Sequence, residues 1–260
     1  MRTATATSLV LLSLVACAKP KPEAPPLPPV GLSVLATIGD SASTIEGIAA
    51  FAGRLYVCDW KDGTIYRLDP ADPTPIAVGS IPTAPGTAVL GITTDTLGNL
   101  YLAVPDPGIV YRVAAARLGA PDFNPKKDAV VFATGAVGAN AIAFDHAGGH
   151  LWISGGPTGN LYHVGPAGGP VATAASGFAT IATDTTMPVR GYVVNGLALD
   201  SHGVIYTANT GTGEITSIVI GAGYQARSTA TFVKDARLIG ADGLFMDGDD
   251  NLWVAANFRN

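Results

Sequence analysis

Short apolar runs separated by turns rich in Asp and Gly recur along most of the chain, and they follow one layout. An apolar run comes first, then a turn of the form Asp-x-x-Gly, then a second run that carries a Tyr or Trp. Runs bounded in this way are typical of antiparallel strand pairs. No long stretch outside the N-terminal segment keeps the 3.6-residue period of an amphipathic helix. The pattern therefore predicts an all-β chain and excludes Rossmann, α/β-barrel and helical-bundle folds.

The layout occurs five times, in segments that open at Glu46, Gly91, Asn140, Asn195 and Asp242, so that successive openings lie 45, 49, 55 and 47 residues apart. Further strands follow these hairpins. The predicted third strands are 64–68, 109–113, 160–164 and 214–218, and the predicted outer fourth strands include 129–133 and 230–233. Four strands in a repeat of about 45–50 residues are the signature of a β-propeller blade.

The fold predicted for residues 30–260 is a six-bladed type of β-propeller. The sequence ends after two strands of the fifth unit, whereas a six-bladed ring would need about 50–70 more residues at this period. We therefore expect a ring truncated within the fifth blade, with an exposed sheet edge. Residues 32–37 have the pattern of a fourth strand that could join the last blade.

The N-terminal residues 1–16 are predicted to be an export signal, because their apolar stretch is too short to span a bilayer. This stretch ends in Leu-Val-Ala before Cys17 and resembles a bacterial lipobox, the alternative being an ordinary signal peptide followed by a chance Cys. The resemblance implies a diacylglycerol on the sulfur of Cys17, and Ala18 after it implies the outer membrane, with the protein facing the periplasm or the cell surface. Residues 17–29 are predicted to form a lipidated, Pro-rich tether. This leaves Cys58 alone in an apolar strand, where we expect a small buried hydrophobe.

Charge narrows the range of partners. Only 13% of the residues are charged, the formal net charge is -5, and no run of Lys or Arg occurs. The positive surface that grips nucleic acid phosphates is therefore missing, and we expect no nucleic acid partner. Contact with a membrane is expected through the lipid anchor only.

The residues that open the repeats carry the candidate chemistry. In a propeller the first strand of each blade lines the central channel, so these residues are expected to converge at one mouth. Glu46 and Asp242 supply carboxylates, Asn140 and Asn195 supply carboxamides, and the second repeat opens at Gly91. Oxygen ligands without His or Cys suit a hard cation, Ca²⁺ before Mg²⁺ or another divalent ion. The alternative is that these residues only form turn dipeptides such as Asn-Gly, although turn chemistry does not account for a Glu.

Other candidate sites are weaker. The Asp of each turn recurs at one repeat position, where we expect a turn-forming role; these residues are Asp95, Asp145, Asp200 and Asp247. The four histidines are scattered, so we predict neither a His pair nor a zinc site. No Gly-x-Ser-x-Gly elbow and no phosphate-binding loop occurs, which excludes a serine hydrolase and a nucleotide-binding protein of those types.

The sequence resembles the gluconolactonase/regucalcin family, with paraoxonase and diisopropylfluorophosphatase as more distant relatives. The resemblance covers roughly residues 40–260 and rests on TIEG, GANAIAFD, VNGLALD and GADGLFMD around the four polar openings. It implies a six-bladed, calcium-binding propeller whose ligands come from blades one, three, four and five. By this resemblance Glu46, Asn195 and Asp242 are metal ligands, Asn140 is a ligand or a substrate contact, and Asp242 is the proton acceptor.

The implied function is a calcium-dependent hydrolase of small-molecule lactones or related esters, in which the metal activates the carbonyl and Asp242 assists the attack of water. The chain departs from the sugar-lactone members at Gly138 and Ala141, where they carry Arg and Asp, so a sugar-acid lactone is not implied. The alternative is a non-catalytic propeller resembling the NHL-repeat type, anchored to the outer membrane, that binds a ligand or a partner. Propellers serve both purposes, so the sequence leaves open whether the protein is an enzyme.

Overall fold

The computed structural model describes residues 34–38, 44–82, 89–178 and 192–256. The chain divides into two units, Met1–Val34 and Leu35–Asn260. Apart from Val34, the first unit lies outside the described residues, and so do the predicted export signal, Cys17 and the tether. In the part of the chain that is described, no helix has the length and apolarity needed to cross a bilayer.

The described residues form four sheets of four or five strands and a fifth sheet of two strands. The first sheet contains β1 (Ile45–Phe51), β2 (Arg54–Asp59), β3 (Thr64–Asp69) and β4 (Asp72–Ser80). The second contains β5 (Ile92–Thr94), β6 (Leu100–Val104), β7 (Ile109–Val113) and β8 (Ala129–Thr134). The third contains β9 (Ala139–Phe144), β10 (Leu151–Gly155), β11 (Asn160–Val164) and, after the short β12 (Gly169–Pro170) that pairs in parallel with β8, β13 (Ala172–Ala175).

The fourth sheet contains β14 (Leu197–Leu199), β15 (Ile205–Asn209), β16 (Glu214–Ile220) and β17 (Ala226–Lys234), and the fifth contains β18 (Ala241–Met246) and β19 (Leu252–Ala256). Helical segments are short: α1 (Pro125–Asp128) and the 3₁₀ turns Ala115–Arg117, Ala222–Tyr224 and Ala236–Leu238. Each of the four larger sheets follows chain order from its first strand outward, and the first strands β1, β5, β9, β14 and β18 contact one another in succession. This arrangement confirms the predicted all-β propeller type.

The predicted strand bounds agree better with the observed bounds for the third strands than for the more exposed outer strands. The predicted third strands 109–113 and 160–164 coincide with β7 and β11, whereas the outer strand β17 is longer than the predicted 230–233. Residues 34–38 form no strand, and Val34 is 85% exposed. Residues 34–38 therefore do not form the predicted closing strand, and their apolar side chains Val34 and Leu35 are exposed.

Apolar side chains between neighbouring sheets form the core. Cys58 lies fully buried beside Ile65 and Leu100, between the first and second sheets, which confirms its predicted role as a small hydrophobe. Burial raises the pKa of its thiol to about 12. Tyr101 of the second sheet stacks on Phe144 of the third, with ring centroids 6.1 Å apart. Tyr101, the aromatic residue of the second strand β6, thus packs one blade against the next.

The turn aspartates hold the hairpins together. Asp95 accepts hydrogen bonds from the backbone N–H groups of Leu97 and Asn99 and from the hydroxyl of Tyr101, at 2.9, 3.0 and 3.0 Å. Asp200 and Asp247 repeat this arrangement, with Tyr206 and Trp253 as the aromatic donors, and Asp145 accepts from the two backbone N–H groups of Ala147 and Gly148. The predicted turn-forming role is confirmed.

Replacing Asp95 with Ala is expected to lower the free energy of unfolding by about 2–4 kcal/mol, because it leaves the hydroxyl of Tyr101 and the turn N–H groups without their acceptor. Burial acts to raise the pKa of Asp95, but hydrogen bonds from Asn99, Leu97 and Tyr101 outweigh it and hold the pKa below its usual value. The carboxylate therefore stabilises the fold above the ordinary Asp pKa and loses this effect as the pH falls. Urea denaturation at pH 7 measures the difference. Asp249→Ala, at an exposed turn position, should change little; an equal loss in both variants would contradict the role of Asp95.

Candidate functional site

A β-bulge near the start of three inner strands positions the residues of the candidate site. Between Ile45 and Ile48 the inner strand β1 advances three residues while its partner β2 advances two, from Asp59 to Val57. The same shift occurs in β9 between Ala139 and Ile142, and in β18 between Ala241 and Leu244. A bulge adds an unpaired residue and redirects a side chain. The extra residue falls at Glu46–Gly47, Asn140–Ala141 and Asp242–Gly243.

The turn-dipeptide alternative does not hold for three of the four polar openings. Glu46, Asn140 and Asp242 lie inside the strands β1, β9 and β18, and not in turns. Asn195 lies two residues before β14, but its backbone N–H bonds to the carbonyl of Ala208 at 2.9 Å, so that it also belongs to a strand pairing.

The second repeat requires a correction. Leu90 donates its N–H to the carbonyl of Ala103, as Asn195 does to Ala208, so Leu90 and not Gly91 is the counterpart of the polar openings. Gly91 is the counterpart of Gly47 and Gly196. A Cβ at Gly91 would overlap the carbonyl oxygen of Asn140, so this glycine is needed for the close approach of two inner strands.

Three of the predicted ligands meet in one cavity. Glu46, Asn140 and Asp242 line a space of about 260 Å³ at the bulged end of the inner strands, here called the mouth cavity. Its walls are aliphatic and come from every inner strand: Ile48, Leu90, Ile92, Ile142, Leu197 and Leu244. None of the described residues that line it is Lys, Arg or His. A second cavity of about 300 Å³ continues along the same strands, where most lining residues are apolar and Thr93, Thr94 and His146 are polar.

Asn195, the fourth predicted ligand, is buried next to the mouth cavity and is not one of the residues that line it. Its neighbour Gly196 lines the cavity and lies against the backbone carbonyl of Asp242. Asn195 is 3% exposed, and its Oδ1 has no hydrogen-bond partner among the described residues. A buried carbonyl oxygen without a partner costs about 1–3 kcal/mol, which is a reason to look for a ligand.

The two carboxylates repel one another. Glu46 is accessible to the solvent of the cavity, but protein atoms surround much of it. Partial burial and then the charge of Asp242 raise the pKa of Glu46 to about 7. The described residues that line the cavity carry no positive charge that would attract both carboxylates. A bound cation would do so.

Blade one is anchored just beside Glu46. Asp59 is 5% exposed and accepts hydrogen bonds from the backbone N–H and the hydroxyl of Thr44, at 3.1 and 3.0 Å, and from the N–H of Lys61 at 2.9 Å. Burial acts to raise the pKa of Asp59, but these hydrogen bonds outweigh it and lower the pKa. Asp59 therefore stays ionised and fixes the start of β1, from which Glu46 projects.

The histidine prediction is wrong in part. His150 and His163 are neighbours, with ring centroids 5.7 Å apart, and Tyr224 stacks on His150 at 3.7 Å. Burial and then His150 lower the pKa of His163. The sequence missed this pair because His150 directly precedes β10 and His163 lies in β11, and the two come together only through the pairing of these strands. Across the described ranges no three His, Cys, Asp or Glu side chains come together to hold a metal ion, so the predicted absence of a zinc site is not contradicted.

The residues at the mouth fit a hard divalent cation. Glu46 and Asp242 offer two negative charges, Asn140 offers a carboxamide, and Asn195 has a buried amide oxygen without a partner. Such oxygen donors are the ligands that Ca²⁺ prefers. The fit depends on the amides as much as on the acids.

Comparison with known proteins gives the fold. No family model matches the chain, and no curated protein matches it. A gluconolactonase from Xanthomonas campestris superimposes with a TM-score of 0.60 at 19% identity, over 84% of this chain and 71% of its own. A regucalcin from Agrobacterium tumefaciens, described as a calcium-binding protein, gives 0.57 at 15% identity, over 84% and 69%. A virginiamycin B lyase from Staphylococcus aureus gives 0.56 at 13% identity, over 82% of this chain and 64% of the lyase.

The chain thus spans about 64% of the length of the lyase and somewhat more of the other two proteins. At identities of 13–19% the likeness concerns the fold. The chain is a β-propeller similar in fold to gluconolactonase- and regucalcin-type proteins.

Proposed function

We propose that the protein is a calcium-dependent hydrolase of lactones or related esters. The cation is held in the mouth cavity by Glu46, Asn140, Asn195 and Asp242. The observation that carries the proposal is the convergence of two carboxylates and an amide in one cavity, beside a buried amide oxygen that has no hydrogen-bond partner. The likeness in fold to a gluconolactonase and a calcium-binding regucalcin supports it.

The residues at the mouth divide the chemistry between them. A divalent cation held there would polarise the ester carbonyl and stabilise the negative charge that develops on its oxygen. Asp242 accepts the proton of the attacking water, while Glu46 and the two amides hold the cation in place. The aliphatic walls from Leu90, Ile92 and Leu244 favour a substrate with an apolar body and limit the access of further water.

The place of action is part of the same proposal. Residues 1–17 support export and attachment to the bacterial outer membrane through a lipid on Cys17, with the propeller facing the periplasm or the cell surface. The lipid anchor and the small-molecule substrate remain predictions.

Calcium is expected to stabilise the folded protein. At a Ca²⁺ concentration one hundred times the dissociation constant, the free energy of unfolding should rise by about 2.7 kcal/mol, and a chelator should abolish this gain. Thermal melts with Ca²⁺, with Mg²⁺ and with chelator measure it, and a panel of aliphatic lactones and aryl esters tests turnover in the same samples. Calcium stabilisation without turnover would favour the non-catalytic, NHL-like alternative. A protein that Ca²⁺ does not stabilise and that turns over no substrate of the panel would overturn the proposal.

A further inference from the structure

Thr210 stands behind Asn195 in a completely buried position. Its hydroxyl Oγ1 lies 2.8 Å from the carbonyl oxygen of Ala241 and 2.9 Å from Nδ2 of Asn195. Thr210 and Ala241 are 0% exposed. The hydroxyl thus connects the ligand residue of blade four to the residue that precedes Asp242.

The chemistry of the three groups fixes the direction of both hydrogen bonds. A backbone carbonyl can only accept a hydrogen bond, so the hydroxyl of Thr210 must donate its single proton to the carbonyl oxygen of Ala241. The same hydroxyl can then only accept from Asn195. The side-chain amide must therefore present its NH₂ group to Thr210, which turns the oxygen Oδ1 away. That oxygen is the atom that lacks a partner.

The backbone holds Thr210 in this place. Its N–H donates to the carbonyl of Tyr192 at 3.1 Å, and its carbonyl accepts from the N–H of Gly240 at 2.8 Å. Asn195 is fixed as well, because its N–H donates to Ala208 at 2.9 Å. The amide of Asn195 can change its orientation only by giving up the bond to Thr210.

We propose that Thr210 is a positioning residue that selects the oxygen of the Asn195 amide as the metal ligand. This inference rests on the proposed function, since it assumes a cation in the mouth cavity. A flipped amide would offer the cation an NH₂ group, which cannot ligate it. Groups that orient a metal ligand from behind typically contribute about 10- to 100-fold to metal affinity.

The test compares Ca²⁺ affinity in Thr210→Val, Thr210→Ser and the wild type by isothermal titration calorimetry. Thr210→Val removes the hydroxyl at nearly constant volume and should weaken Ca²⁺ binding about 10- to 100-fold, whereas Thr210→Ser should stay within about threefold of the wild type. Thr207→Val is the matched control, because Thr207 is 1% exposed on β15 and its hydroxyl has no partner among the described residues. It should leave the affinity unchanged.

The outcomes separate the two proposals. A wild type that binds no Ca²⁺ would overturn the metal site, and this inference with it. A wild type that binds Ca²⁺ while Thr210→Val binds it equally well would overturn the role of Thr210 alone.

A test in the wild-type protein covers the case in which Thr210→Val does not fold. The side-chain NH₂ of Asn195, observed by NMR, should exchange slowly with solvent both with and without Ca²⁺, because it stays bonded to Thr210 in both states. Rapid exchange in either state would contradict the proposal.

Discussion

Replacing Asp242 with Asn should lower kcat/KM for lactone hydrolysis by about 10³-fold at saturating Ca²⁺. The substitution keeps the shape of the side chain but removes the proposed proton acceptor. It also removes one of the two negative charges in the mouth cavity, so Ca²⁺ affinity should fall as well. The apo protein should remain folded, because the loss of a charge near Glu46 relieves repulsion.

Steady-state kinetics over a Ca²⁺ series separates the two effects. If Asp242 only holds the cation, excess Ca²⁺ should restore the turnover; if it also accepts the proton, kcat stays low when the site is saturated. Asp249→Asn is the control, because Asp249 lies in the hairpin turn that follows the same strand and is exposed. Full turnover in Asp242→Asn would refute the assignment of Asp242.

The strand layout of the blades could be predicted because it depends on residues that are close together in the sequence. Asp95, Asp200 and Asp247 accept from backbone N–H groups two and four residues ahead, so a short motif is enough to fix a hairpin. The third strands 109–113 and 160–164 follow their turns directly and carry branched and aromatic residues, and for this reason they were predicted at their observed bounds. The outer strand β17 is mostly exposed and rich in polar residues, so its pattern gives a weaker signal.

The site could be predicted only as far as it repeats. Glu46, Asn140, Asn195 and Asp242 were found because each opens a repeat. The bulges at Glu46, Asn140 and Asp242 depend on strand register, which the sequence does not show. Gly91 was taken as the opening residue of the second repeat for the same reason: the strand register is not visible in the sequence. A glycine also stands at the second position of three other openings, and Gly91 is the counterpart of these glycines.

Thr210 was missed for a different reason. The backbone N–H of Trp60 and of Gly156 bonds across the start of its blade in the same way as that of Thr210, so these three residues are structural counterparts. The repeat therefore shows a Trp, a Gly and a Thr at one position, and no pattern marks the Thr. A Cβ at Gly156 would lie 2.7 Å from the ring of Tyr192, so a side chain with a comparable hydroxyl group would need Tyr192 to move. A residue that has its role in a single blade leaves no repeated pattern in the sequence. It can be recognised only from its contacts in the structure.

Replacing Glu46 with Gln should stabilise the metal-free protein at neutral pH and weaken its binding of Ca²⁺. The pKa of Glu46 is raised to about 7 in the fold, against a usual value of 4.5, first by partial burial and then by Asp242. Between these values the folded state holds a proton that the unfolded state has released, so wild-type stability falls as the pH rises from about 4.5 to about 7. Glu46→Gln cannot ionise, and its stability should not show this fall.

Urea denaturation at pH 5, 6, 7 and 8 in the presence of chelator measures the difference, which should grow with pH and level off above about 7. Glu214→Gln is the control, because the pKa of Glu214 is lowered, first by its hydrogen bond with Thr231 and also by Lys234. Glu214 is therefore ionised in both the folded and the unfolded state from pH 5 to 8. The plot of unfolding free energy against pH for Glu214→Gln should run parallel to that of the wild type. With Ca²⁺ the order should reverse, because the ionised Glu46 that costs stability in the empty cavity is the ligand that the cation needs. Equal pH profiles for the wild type and Glu46→Gln in chelator would mean that neither burial nor Asp242 raises the pKa of Glu46, which would contradict this prediction.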